Sequence, residues 1–175
     1  MMNTLLEKSS PESIAAAARI ILEGGLVAFP TETVYGLGAN ALSKDSCVKI
    51  FEAKKRPFFD PLICHVSSLE MIERIAVADD KSLSVFEKFS PGPITVVMKK
   101  KDTVPSIVTS GMDTVAVRIP MHETALSLIK ASDVPIAAPS ANPFGFLSPT
   151  EAGHVYDSLN GRIDMIIDGG KCTVG

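Results

Sequence analysis

Six short apolar runs, each closed by proline, glycine or a polar pair and separated by helix-spaced stretches, constrain this chain more than any other feature. Leu26–Phe29 stops at Pro30, Leu62–Val66 at Ser67-Ser68, Val115–Ile119 at Pro120 and Ile136–Ala138 at Pro139. Ile94–Met98 runs out into Lys99-Lys100-Lys101, and Ile163–Ile167 closes on Asp168-Gly169-Gly170. Runs this short, bounded this way, read as buried strands. Between them lie helical patterns. Ser10-Pro11-Glu12 is a hydroxyl cap, a first-turn proline and an acid facing the dipole. Ile14, Ala18, Ile21 and Leu22 carry that helix on until Gly24-Gly25 stops it. Residues 45–55, 69–75, 79–89 and 122–131 have the same periodicity. Strands alternating with helices predict an α/β fold with a largely buried, mixed sheet. At 175 residues without internal repeat or linker, the chain is expected to form one domain.

Composition narrows the function. Hydrophobic residues make up 46% and charged residues 21%, which fills a core and excludes a disordered chain. No apolar run approaches the ~18 residues of a membrane span, so no membrane association is expected. The start Met1-Met2-Asn3-Thr4 lacks the basic opening and apolar centre of a secretory signal, and a cytoplasmic location is expected. A formal charge of −3 argues against a general nucleic-acid coat, so any contact with RNA or a nucleotide must be local. Cys47, Cys64 and Cys172 are too scattered for a zinc ribbon or disulfide framework and read as reduced, buried thiols.

Polar residues pinned among glycines and prolines after the strands are the candidates for chemistry. Pro30–Gly38 carries two hydroxyls and a carboxylate, then two glycines that would let a backbone approach a ligand; a turn before a capped helix is the plain alternative. Its G-x-G lacks a third glycine, which excludes a dinucleotide fingerprint, and there is no Walker motif. Lys54 and Arg56, stiffened by Pro57, suit a triphosphate, although taken alone they read first as a solvated helix end. Lys99–Lys101 reads as solvated. Arg118 interrupts an apolar strand and must meet an anion or a structural ion partner. Ser140 and Asn142 share one loop face after a strand and can read a sugar, phosphate or base edge, the alternative being a turn into a helix capped near Ser148 or Thr150. His65, inside an apolar run, reads first as a core histidine. No nucleophile elbow, Cys–His signature or close carboxylate pair is present, so the repertoire of cations, hydroxyls and amides suits polarising anions rather than attacking a substrate.

Five segments, PTETVYGLG (30–38), KKRPFFDPL (54–62), PGPIT (91–95), VAVRIP (115–120) and PSAN with SPT (139–142 and 148–150), occur in order. Together they resemble the YrdC-like family of threonylcarbamoyl-AMP synthases from about residue 10 to the last residue. The resemblance implies a single YrdC-like domain over 1–175: a twisted, open, mixed α/β sheet with flanking helices and a positively lined cavity. It implies that L-threonine, bicarbonate and ATP, with Mg²⁺ on the phosphates, give threonylcarbamoyl-AMP and pyrophosphate. A threonylcarbamoyl-transferase partner would then modify tRNA. By matched position, Lys54, Arg56, Ser140 and Asn142 would grip ATP, with Asp60, Thr114 and Ser148 adding contacts. Thr33, His65, Arg118 and the Ala138 backbone would hold threonine, Arg118 on its carboxylate.

Two departures accompany the resemblance. Asp60 stands where the family usually has Asn, adding a charge that must be paired or hold a metal. Family members also continue at Gly175 into an E-S-T-V strand, whose serine contacts substrate, and often an arginine that contacts ATP. The resemblance therefore implies the N-terminal part of a longer protein, without that strand and any C-terminal domain, or a shortened variant. Alternative readings are a module binding RNA (double-stranded included) or a nucleotide without threonine chemistry, and a paralogue acting on another substrate.

Overall fold

The computed structural model describes residues 3–175; Met1 and Met2, part of the N-terminal segment read above, lie outside them. The elements run β1 (Leu5–Lys8), α1 (Pro11–Leu22), β2 (Val27–Pro30), β3 (Tyr35–Asn40), α2 (Lys44–Lys54), β4 (Ile63–His65), α3 (Leu69–Glu73), β5 (Ala76–Val77), α4 (Asp80–Phe89), β6 (Val96–Lys100), β7 (Thr114–Arg118), α5 (Glu123–Ser132), β8 (Ile136–Ala137), α6 (Ala152–Leu159) and β9 (Met165–Asp168). The strands form one open sheet in the order β1-β9-β2-β3-β8-β4-β7-β6-β5. It is mixed: β1/β9, β2/β9 and β4/β7 are parallel, and the remaining pairs are antiparallel. The α/β expectation holds.

Local chemistry sets the element ends as the sequence predicts. Ser10 caps α1 through the Ser13 amide, and Ser13 returns a bond to the Ser10 amide in a reciprocal box. Gly24 leaves the helix at φ +84°, a conformation that costs glycine nothing. Ser43 and Ser68 cap α2 and α3 by accepting from the Ser46 and Met71 amides. Helices α1 and α5 pack on each other and on the β2 side of the sheet, while α6 lies against β9 and β2.

The largest departure from the sequence reading is β3. Residues 35–40, expected as a glycine-rich ligand loop, form a buried strand paired antiparallel with β2. The glycines serve packing. A Cβ on Gly38 would stand 2.7 Å from both Ile136 Cγ2 and Phe29 Cε1, and one on Gly36 would stand 3.3 Å from Ala138 Cβ. Strands β1 and β5 are additions, each on an edge of the sheet. Lys99 and Lys100 belong to β6 rather than to a loop, and α6 starts after Glu151 with no side-chain cap rather than at Ser148 or Thr150.

Candidate active site

Parallel pairing of β4 with β7 sets His65 beside Arg118 and Ile63 beside Ala116. On β7, Val115 and Val117 are buried, whereas Thr114, Ala116 and Arg118 are only partly covered. Alternation therefore puts those three on one uncovered face. The antiparallel register sets Lys99 against Thr114 and Val97 against Ala116, both exposed. The open face thus runs from Arg118 and His65 at one end to Thr114 and Lys99 at the other, about 13 Å along β7.

Arg118 is held by three oxygens. Its Nε donates to Thr95 Oγ1 at 3.0 Å, and its Nη1 to Glu32 Oε1 at 3.3 Å and Thr33 Oγ1 at 3.4 Å. The expected ion partner is therefore Glu32, whose Oε2 also accepts from the Met121 amide at 3.0 Å. Thr33 sits in a loop closed by Thr31, whose Oγ1 accepts from the Thr33 and Val34 amides and donates to the Val34 carbonyl. His65 is buried edge-on to Phe29, and its Nδ1 is buried without a partner. Burial, and then the neighbouring Arg118 charge, push the imidazole down to about 4, so it is neutral at pH 7. The Ala138 amide is spent on the Ile63 carbonyl at 2.9 Å, which leaves the Ala138 carbonyl for any ligand.

The second cluster forms where the 139–142 loop runs beside β3. The Ala141 amide donates to the Tyr35 carbonyl, the Leu37 amide to the Pro139 carbonyl, and Ser140 bridges Gly36. Lys54, the last residue of α2, is 1% exposed, and its Nζ donates to the Ser140 and Asn142 carbonyls. It is not a solvated helix end: a buried ammonium needs such partners. Burial, and then Arg56, push its pKa down to about 8. Asn142 Nδ2 donates to the Pro143 and Phe146 carbonyls at 2.9 and 2.8 Å, and its Oδ1 is buried without a partner. Beyond Lys55, which ends α2 at φ 53°, Arg56 Nη2 pairs with Asp60 Oδ2 at 2.9 Å and donates to the Pro61 carbonyl at 3.0 Å. Ser148 is exposed on the same loop as Asn142.

The structure thus joins Thr33, His65, Arg118 and Ala138 in one neighbourhood, and Lys54, Ser140 and Asn142 in another, with the 138–142 segment running between them. Arg56 and Asp60 pair on the adjoining loop, and Thr114 marks the far end of the open face. The expected positive lining is tempered, because Arg118 and Arg56 each face a carboxylate. A hollow of about 1080 Å³ beside Ser9, His122, Thr124 and Asp168 is lined by none of these residues. Sequence reasoning noted Glu32 only as the carboxylate of the 30–38 segment, gave Thr95 no role and read Lys99 as solvated. Glu32 and Thr95 lie inside segments already singled out, but only the pairing of distant strands shows that both reach Arg118. Among the described residues, no group of three His, Cys, Asp or Glu is placed to hold a metal ion, and no helix is long and apolar enough to cross a membrane.

Comparison with known proteins agrees with this architecture. The Sua5/YciO/YrdC family, described as telomere recombination, matches residues 19–175. The threonylcarbamoyl-AMP synthase of Pyrococcus abyssi is 52% identical over 170 residues, covering 97% of this chain and 50% of that protein. That of Bacillus subtilis is 47% identical, covering 97% of this chain and 49% of that protein. The crystal structure of P. abyssi Sua5 complexed with L-threonine superposes with a TM-score of 0.93 at 49% identity, over 100% of this chain and 52% of that one. The chain therefore spans about half the length of these relatives. From its sheet order, its loops and these likenesses, we conclude that the chain belongs to the Sua5/YciO/YrdC family.

Proposed function

We propose that this chain is the YrdC-like domain of a threonylcarbamoyl-AMP synthase, which makes threonylcarbamoyl-AMP and pyrophosphate from L-threonine, bicarbonate and ATP. The observation that carries the reading is the largely buried Arg118. It sits beside Thr33 and the unspent Nδ1 of His65, on the same open face that leads toward the Lys54–Asn142 and Arg56–Asp60 loops. The P. abyssi relative solved with L-threonine supports it.

In this reading the Arg118 guanidinium takes the threonine carboxylate in a charge-assisted contact, while Thr33 and neutral His65 fix the rest of the amino acid. The deprotonated threonine amine forms a bond to the carbon of bicarbonate and water departs, leaving a carbamate. A carbamate oxygen then bonds to the α-phosphorus, the bond from that phosphorus to the bridging oxygen breaks, and pyrophosphate leaves. Two anions must meet, so the protein's contribution is alignment and charge neutralisation. Arg56 supplies a cation to the phosphates, with Thr114 and Ser148 flanking. Lys54 acts first by fixing the carbonyls of the loop that presents Ser140 and Asn142. Mg²⁺ enters with ATP as part of the substrate. Asp60 is engaged by Arg56, and the described residues do not form a resident metal site. Transfer of the threonylcarbamoyl group to tRNA belongs to a partner enzyme.

The test is to incubate the protein with ¹³C-bicarbonate, MgATP and L-threonine and analyse the products by mass spectrometry. Labelled threonylcarbamoyl-AMP, with far less product from serine or glycine, supports the proposal. ATP binding with no labelled adduct under any amino acid contradicts it.

A further inference from the structure

Glu32 is 1% exposed, and each of its carboxylate oxygens meets a group that can only donate: Oε1 faces Arg118 Nη1 at 3.3 Å and Oε2 the Met121 amide at 3.0 Å. Its backbone is tied as well, because its carbonyl accepts from the Val174 amide at 3.0 Å. The other side of the guanidinium is equally fixed, with Nε donating to Thr95 Oγ1 at 3.0 Å. Of the three guanidinium nitrogens, Nη2 alone has no partner among the described residues. An arginine side chain has four rotatable bonds and would otherwise sample many headings. Here two contacts on different nitrogens define the plane of the guanidinium and leave one nitrogen, with two N–H groups, to address a ligand.

We infer that Glu32 is a positioning residue for amino-acid binding: it locks the Arg118 guanidinium so that Nη2 is presented to the substrate carboxylate. This rests on the reading of Arg118 given under Proposed function. Glu32 itself does not touch substrate, since both of its oxygens are occupied and the residue is buried. The role needs a carboxylate rather than mere bulk. A glutamine in its place offers one acceptor and one donor to two donors, so one of the two contacts must become an N–H facing an N–H. Glu32 also offsets the charge of a largely buried guanidinium, which is what allows Arg118 to stay on an otherwise apolar strand.

The experiment compares the unaltered protein with Glu32→Gln, Glu32→Ala and Arg118→Ala. It measures L-threonine and MgATP binding separately by calorimetry, thermal unfolding, and the ¹⁵N spectrum of the Arg118 guanidinium. In the unaltered protein the locked group should show separate Nη1 and Nη2 signals, and in Glu32→Gln these should broaden or merge as rotation is released. L-threonine affinity should fall on the order of ten- to a hundredfold in Glu32→Gln, with MgATP affinity unchanged within about twofold. A merely structural role would lower the unfolding temperature and weaken both ligands together, and that result overturns the inference. So does unchanged L-threonine affinity in Glu32→Gln when Arg118→Ala has lost it, an outcome that leaves the site reading intact. If Arg118→Ala binds L-threonine normally, or the unaltered protein does not bind it, the reading of Arg118 fails, and the role of Glu32 fails with it. Should Glu32→Ala not fold, the Gln variant, which keeps the side-chain volume, carries the comparison.

Discussion

Arg118, Arg56 and Lys54 each have a partner inside the protein, and the consequences differ with burial. The Arg56–Asp60 pair is the most open of the three, with the Asp60 side chain 40% exposed. Such a pair contributes less than about 1 kcal/mol to stability after solvent screening. If Arg56 holds the phosphates as proposed, the carboxylate competes with them for the guanidinium. Asp60→Asn should therefore tighten MgATP about two- to fivefold, with stability changed by less than about 1 kcal/mol, as calorimetry and urea unfolding would show. His65 behaves in the opposite sense, because it is buried and neutral. Its folded-state pKa of about 4 lies below the ordinary 6.5. Between those values the unfolded chain takes up a proton that the folded protein refuses. The stability present above pH 6.5 is thus lost as pH falls toward 4, by up to about 3 kcal/mol. Urea unfolding from pH 7 to 4 should show this extra loss in the unaltered protein and a flatter profile in His65→Gln.

At the scale of elements, what the sequence made legible was whatever is encoded locally. The Ser10 and Ser68 caps, and the apolar runs behind β2, β4, β7, β8 and β9, follow from neighbours a few residues apart. Strand β3 was hidden because its two glycines mimic a turn. Their reason lies in Phe29 and Ile136, side chains from the adjoining strands that need the space. Gly38→Ala should therefore overpack the sheet, costing on the order of 1–3 kcal/mol in urea unfolding. Strand β1 was hidden for another reason: its four residues are all exposed, and it forms through backbone pairing with β9 at the far end of the chain. No local pattern announces such a strand.

Across the whole molecule, the sheet order turns scattered segments into one site. Strand β4 lies between β8 and β7, which sets His65 beside Arg118 and Ala138 beside Ile63 two residues along, while the β2–β3 loop delivers Glu32 and Thr33 to the Arg118 end. The candidate residues were singled out through the ordered motifs, and the plain reading of Lys54 as a solvated cation was not upheld. Which cation meets which carboxylate depends on contacts between residues far apart in sequence, and only the folded chain shows it. The proposed joining of an amino acid to ATP on this face, with Arg118 on the amino-acid carboxylate, is read from pyrophosphate release from MgATP in bicarbonate, with and without L-threonine. Release should depend on threonine and drop at least about a hundredfold in Arg118→Ala at subsaturating threonine. Release that ignores L-threonine, or that survives Arg118→Ala unchanged, would contradict the proposal.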